Sequence, residues 1–314
     1  MRPSDRLPTA NTLGLAAYSW RVIRATATAI DEDRCFDLAA QLAYYLLLAL
    51  FPALLVLVAL LGYLPAEHAA ADLLAIIGRV APAALVDLLA VQLEEITSDG
   101  RAGLATLGMA GALWSSSTAM RAIIEALNRA YRVAEWRPWW HRRLVALGLT
   151  VACGLFMTSS LLLILAGPSV IGGLSHGFGA GNTVVSMWQM LRWPAIVALV
   201  VIAINMVYHF APNRTARWSW TTPGSLLATG LWIGSSFLFK LYVTHMGTYT
   251  VTYGAIGGVI VVLLWLYLSS LAILVGAELN SAIDALATAR VATPGPPGDA
   301  PAGSEGPRRR SQSA

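Results

Sequence analysis

Long runs free of Asp, Glu, Lys and Arg dominate the hydrophobic pattern, at residues 38–66, 102–120, 144–191, 193–213, 218–239 and 241–277. A helix needs about 20 mostly apolar residues to cross about 30 Å of hydrocarbon. The third run is too long for one helix, and Gly167-Pro168 and the glycines from Gly172 to Gly181 interrupt it. The pattern therefore predicts an all-α, polytopic membrane protein with six transmembrane helices, near 41–63, 102–123, 144–166, 188–210, 222–242 and 255–278. Two further segments carry helical periodicity. Residues 10–30 mix Trp20, Val22, Ile23 and Ile30 with Arg21 and Arg24, which suits an amphipathic helix on the membrane surface. In the loop after the first span, Leu73, Ile76, Ile77 and Val80 recur at helical spacing, as do Leu85, Leu88, Leu89 and Leu93 after Pro82. This predicts a helical extracytoplasmic first loop.

The pattern divides the chain into an N-terminal segment over 1–40, a six-helix transmembrane domain over 41–280 and a largely disordered tail over 281–314. The tail's residues from 291 onward are Pro, Gly, Ser and Arg with little apolar content. Composition agrees: 57% of the 314 residues are hydrophobic and 12% charged, against about 25% charged in a soluble domain. The charged N-terminal segment and the long first run predict a retained span rather than a cleaved signal peptide. Cys35 and Cys153 are too few for a disulfide framework and read as free thiols.

Charge sets the expected orientation, because short basic loops stay in the cytoplasm. With both termini inside, the inner segments hold 16 arginines, clustered at 2–34, 129–143, 214–217 and 290–310, whereas the outer segments hold Arg79 and Arg101. The first outer loop is acidic, with Glu67, Asp72, Asp87, Glu94, Glu95 and Asp99. Trp136, Trp139 and Trp140 flank the basic second loop, as interfacial tryptophans do. The same asymmetry accounts for the net charge of +4 without any nucleic acid.

The polar residues inside the apolar runs are the candidate functional ones. Asp37 is placed to cap the first span, and Pro52 removes a hydrogen bond in its middle, which predicts a kink. Gln41, Tyr44, Tyr45 and Pro52 would then line a polar path whose opposite wall is Asn205 and Tyr208 of the fourth span. Packing and an interhelical hydrogen bond are the structural alternatives for these positions. The second span carries Ser115, Ser116, Ser117 and Thr118, whose hydroxyls can bond back to the helix. Arg121, Glu125 and Arg129 follow at i, i+4 spacing, a solvated stripe or a substrate gate. The fifth span opens on Thr222-Pro223 and holds Gly230 and Gly234, a small-residue pair that would admit a close neighbour. The uncharged link at 244–258 can dip into the membrane where protein covers it. Glu278 stands at the end of the last span, where a carboxylate is wet, paired with an arginine or coupled to protons. The five histidines share no ligand spacing, and no catalytic motif, metal set or cofactor loop stands out.

Several of these segments also resemble the YihY/BrkB family of bacterial inner-membrane proteins. They are Ala40-Gln-Leu-Ala-Tyr44-Tyr45 through Phe51-Pro52, Leu113-Trp114-Ser115-Ser116, Ala126-Leu-Asn128-Arg-Ala-Tyr131, Ala211-Pro212-Asn213, and Tyr253-Gly254-Ala-Ile-Gly257 through Gly276-Ala-Glu278-Leu-Asn280. They cover roughly residues 10–290, and Ala49 stands where the family usually has a serine. The resemblance marks Trp114, Asn128, Asn213, Tyr253, Gly254 and Glu278 as motif positions. It implies a six-span inner-membrane protein with cytoplasmic termini. Some family members are associated with resistance to serum killing, as virulence factors, and others with export of lipid or lipid-linked envelope precursors. The expectation is a non-enzymatic transporter whose partners are membrane lipids and lipid-linked precursors, without cofactor or nucleic acid. A non-transporting scaffold for envelope enzymes is the alternative. The family's older label as a tRNA-processing ribonuclease is disfavoured, since a metal-dependent nuclease needs clustered carboxylates or histidines.

Overall fold

The computed structural model describes residues 10–62, 102–165, 181–214, 219–245 and 249–292. Among these the chain is helical: α1 (Ala10–Glu32), α2 (Cys35–Gly62), α3 (Ala102–Ala130), α4 (Trp139–Leu165), α5 (Gly181–Phe210), α6 (Pro223–His245) and α7 (Tyr249–Ala292). The helical pair expected over 73–93 and the tail from 293 onward lie outside the described residues.

Helices α2 to α7 form a closed ring in chain order, each packed on the next, with α7 closing against α2. Cross-contacts of α3 with α7 and of α2 with α4 fill the middle, and α1 lies outside against α7 and α2. The core is built of small and aliphatic side chains, including Ala39, Leu42, Ile124, Leu127, Ala146, Ala211, Ala228, Leu274 and Ala277, with Tyr208 fully enclosed. Large apolar residues face outward instead, among them Leu144, Val151 and Leu155 on α4, Phe237 and Leu238 on α6, and Val259 and Ile260 on α7. That inversion suits a lipid surround, because lipid tails are as apolar as the core. Among the described residues, four segments are by length and composition apolar enough to cross a membrane: Trp139–Ser160, Ser186–Phe210, Pro223–Tyr242 and Gly258–Thr288. They fall on the last four expected spans. The first two expected spans fall on α2 and α3, of which Cys35–Leu50 is a shorter apolar helix among the described residues.

Local sequence explains the helix ends. Thr222 and Ser225 form a reciprocal cap at the start of α6: Thr222 Oγ1 accepts from the Ser225 amide at 3.2 Å, and Ser225 Oγ accepts from the Thr222 amide at 3.0 Å. Pro223 takes the first turn, as the sequence predicts. At the end of α3 the Val133 amide donates to the Asn128 carbonyl and the Arg132 amide to the Arg129 carbonyl, both at 2.9 Å. This is the double closure that places one residue in the left-handed region. That residue is Arg132, and Arg34 has the same role after α1, each with φ of 53°. Glycine is usual at such a position; here both arginines carry ion pairs instead, Arg34 to Asp37 and Arg132 to Glu32.

Four expectations need correction. Asp37 lies within the first turn of α2 rather than capping it, where its charge complements the helix dipole. Residues 249–258 of the expected re-entrant link are already helix, and α7 runs 44 residues, about 66 Å at 1.5 Å per residue. It also carries residues 281–292 out of the expected disordered tail. Gly230 and Gly234 meet no neighbour. The close approach of α6 to α7 is earlier, where Gly224 and Gly276 stand carbonyl to Cα with Ala228 beside them.

Candidate functional site

At one end of the ring the connecting segments are tied by a knot of polar side chains. Asn128, in the last turn of α3, is buried, and its amide nitrogen donates to Glu135 at 2.8 Å. Its side-chain oxygen accepts from the Asn213 amide at 2.8 Å, and Asn213 donates in turn to the Ala134 carbonyl at 2.9 Å. One asparagine thus ties α3 to its own following loop and to the segment after α5. Arg137 grips Glu135 through Nε and Nη2 at 2.8 and 2.7 Å and reaches the Ala211 carbonyl at 2.8 Å. Those bonds from Arg137, helped by Asn128 against the opposing effect of burial, hold the Glu135 carboxyl down at about 2.

A second tier joins the knot through Tyr131 and Arg214. The Arg214 guanidinium lies 3.8 Å over the Tyr131 ring and pairs with Asp284 of α7 at 2.6 Å. Asn280 of α7 donates to Tyr131 Oη at 3.2 Å and to Thr222 Oγ1 at 3.0 Å, and accepts from the Gly224 amide at 2.8 Å. Tyr208 Oη donates to the Ile273 carbonyl at 2.5 Å. Asn205, on the same helix, donates to the Ser219 carbonyl. Glu278, one turn from Leu274 on α7, is fully buried. One of its oxygens accepts from the Cys35 thiol at 3.5 Å, while the other has no hydrogen-bond partner. The carboxyl is therefore neither wet nor paired with an arginine, contrary to two of its sequence-based readings.

Beside this knot opens a cleft of about 500 Å³, walled by Asp33, Ile124, Glu125, Asn128, Arg129, Arg132, Val133, Glu135 and Arg142. Arg132 crosses it to Glu32 at 2.9 Å and stands 3.9 Å from Asp33. A narrower pocket of about 210 Å³ shares Glu125 and Arg129 as a wall and is otherwise lined by Leu38, Gln41, Leu42, Ala122 and Ala126 of α2 and α3. Exposed Trp136, Trp139 and Trp140 precede Arg142 in the chain. Arg143, buried next to it, stacks 3.9 Å over Trp114 and donates to the Trp114 carbonyl at 2.7 Å.

The residues expected to line one polar path are not gathered in one place. Gln41 lines the narrow pocket, Tyr44 is exposed and packs edge-on against Tyr45, and α2 runs as helix through Pro52. Asn205 and Tyr208 are buried, with their polar atoms bonded to backbone carbonyls near α6 and α7. Of the motif positions, Asn128 and Asn213 touch, Glu278 lies on the α7 face turned to α2, Trp114 packs on Arg143, and Tyr253 and Gly254 fall in the first turns of α7. The second-span hydroxyls bond back to their own helix, Ser116 to Ala112 and Ser117 to Trp114. Sequence reasoning missed Asp33, Glu135, Arg137 and Arg142 as site residues. Glu135 and Arg137, two apart in a short loop, gave the one local signal; the arginines were legible only as markers of orientation. Among the described residues, no three His, Cys, Asp or Glu stand where they could hold one metal ion.

Comparison with known proteins gives matches over most of the chain. A family model described as Virulence factor BrkB matches residues 26–298. A ribonuclease-like protein of Bacillus subtilis, YfkH, is 37% identical over 77% of this chain and 88% of its own length. UPF0761 membrane proteins of Nitrosospira multiformis and Xanthomonas axonopodis pv. citri are 28% and 27% identical, over 80% and 92% of this chain. The chain spans 58% and 65% of those two proteins' lengths. No solved structure matches.

Proposed function

Because the chain belongs to the family described as Virulence factor BrkB, we propose that it is a six-span protein of the bacterial inner membrane, with cytoplasmic termini, that transports or handles lipid or lipid-linked envelope precursors. The observation that carries this reading is the pair of adjoining openings along α3. A charged cleft shares a wall with a pocket lined by Leu38, Leu42, Ala122 and Ala126, so one opening suits a polar headgroup and the other the start of an acyl chain. The outward apolar faces of α4, α6 and α7 supply the surroundings from which such a molecule would enter. The term ribonuclease-like belongs to the Bacillus relative's name, and the proposed role is non-enzymatic, without cofactor or nucleic acid.

The alternative reading, a scaffold for envelope enzymes, draws on the knot. Its hydrogen bonds fix three connecting segments against one another and would present a rigid surface to a partner. Lipid profiling of a deletion strain with leaflet-specific labelling separates the two. Transport predicts a changed leaflet distribution of at least one envelope lipid or precursor; an unchanged distribution of all of them favours the scaffold.

A further inference from the structure

The geometry points to Arg129 and Arg142 as the phosphate-binding pair of a site for the headgroup of an anionic phospholipid. The inference rests on the lipid-handling reading and names its substrate class. It begins from the charges around the cleft. Glu135 is committed to Arg137 and Asn128, and Arg132 to Glu32 and Asp33. Among the described residues no acidic side chain pairs with Arg129 or Arg142. Arg142 Nε is buried without any hydrogen-bond partner. A buried donor left unbonded is destabilising, and more so on a charged group. Arg129 and Arg142 line one cleft, and each guanidinium is a planar fork of donors that matches phosphate oxygens. The wall's three arginines meet three acids, Asp33 (one oxygen of which has no hydrogen-bond partner), Glu125 and Glu135, so the cleft is balanced in charge and the phosphate is held by the free guanidinium donors.

Soluble phosphate and a lipid headgroup offer the same oxygens, and three features favour the lipid. Trp136, Trp139 and Trp140, immediately before Arg142, are exposed, and exposed tryptophans of a membrane protein settle at headgroup depth. Arg129 also walls the narrow pocket, so a molecule held at its guanidinium can extend along Leu38, Leu42 and Ala122. Gln41 brings an amide to the same pocket, a group suited to glycerol or ester oxygens. This assigns Gln41 a ligand contact different from the path expected of it with Asn205 and Tyr208.

Binding of fluorescent dioleoyl-phosphatidylglycerol to the full-length protein, purified in a phosphate-free detergent, tests the site. Arg129→Gln combined with Arg142→Gln should weaken binding by about tenfold or more for each arginine lost, the usual loss for a charged hydrogen bond. Arg129→Lys, which keeps the charge but loses the fork, should bind between the parent and Arg129→Gln, and dioleoylglycerol should bind the parent and the double variant alike and weakly. Inorganic phosphate should compete only at far higher concentration than the lipid. If the double variant loses its thermal transition, Arg129→Gln alone, on an exposed side chain, carries the same test. A folded variant that binds phosphatidylglycerol as the parent does overturns the site. Inorganic phosphate that binds as tightly as the lipid overturns the lipid assignment. Loss of the site in a protein that still redistributes lipid in cells removes this inference alone, whereas intact binding with no redistribution removes transport and leaves the site standing.

Discussion

Asn128 shows how one side chain can hold three segments, because an amide offers a donor and an acceptor in one plane and both are used here. Its partner Glu135 carries the pH dependence. The folded carboxyl titrates at about 2 rather than near 4.5, so its stabilisation is complete above about pH 4.5 and fades as pH falls toward 2. The shift corresponds to about 3 kcal/mol at most. Glu135→Gln should remove it, lowering the melting temperature at pH 7 and flattening the melting-temperature profile between pH 5 and 2. Glu278 predicts the opposite behaviour. With one oxygen unbonded in a fully buried position, Glu278→Gln should leave the melting temperature level or raise it, whereas loss of an ion pair would lower it by several degrees. The sequence marked both asparagines and Glu278 through their place in recognisable motifs. It did not show that Glu278 meets Cys35, because the two are 243 residues apart and nothing local to either announces the other.

At the scale of elements, caps and spans were legible and contacts were not. Thr222-Pro223 announced the start of α6 because capping is decided within one turn. The crossing of α6 and α7 is decided by long-range partners, Asn280 on Thr222 and Tyr208 on Ile273, so a glycine pair alone could not place it. Gly276 is the residue that permits it. A Cβ there would meet Tyr208 Oη at 2.5 Å and Ala228 Cβ at 2.8 Å, both far inside van der Waals contact. Gly276→Ala should therefore cost about 1–3 kcal/mol, the usual penalty of overpacking, read as a lower melting temperature. Gly234→Ala, at a position open to its surroundings, should be neutral or slightly stabilising. Equal effects of the two substitutions would show that the helices do not cross at Gly276. The extent of α7 was hidden for a related reason: the apolar run ends at 277, but helix persists through Ala292, where α7 supplies Asp284 to Arg214.

For the whole molecule, the closed ring places the 131–138 loop, residues 211–214 and 219–222 and the α1–α2 junction at one end, beside the cleft. In the proposed orientation, drawn from the arginine asymmetry, that end faces the cytoplasm. Cysteines introduced at positions 135 and 216 of a cysteine-free parent should react with an impermeant thiol reagent only after permeabilisation, and those at 95 and 178 should react in intact cells. Labelling of position 135 in intact cells would reverse the orientation. The membrane class and the positions of the last four expected spans followed from hydrophobic run length, since that quantity is set by bilayer thickness. The cleft did not, since it is assembled from the α1–α2 turn, α3, α4 and a loop whose residues carry no common spacing.

The most direct measurement is lipid movement in vesicles reconstituted with the purified protein and a trace of phosphatidylglycerol carrying a dithionite-quenchable dye on its acyl chain. The account predicts that wild-type protein lets dithionite quench dye beyond the outer-leaflet fraction, faster than in protein-free vesicles of equal tightness. Vesicles with the Arg129→Gln, Arg142→Gln protein should show little of that excess. Wild-type vesicles that quench no further than protein-free ones would contradict the transport claim, and a double variant as fast as wild type would detach transport from the cleft.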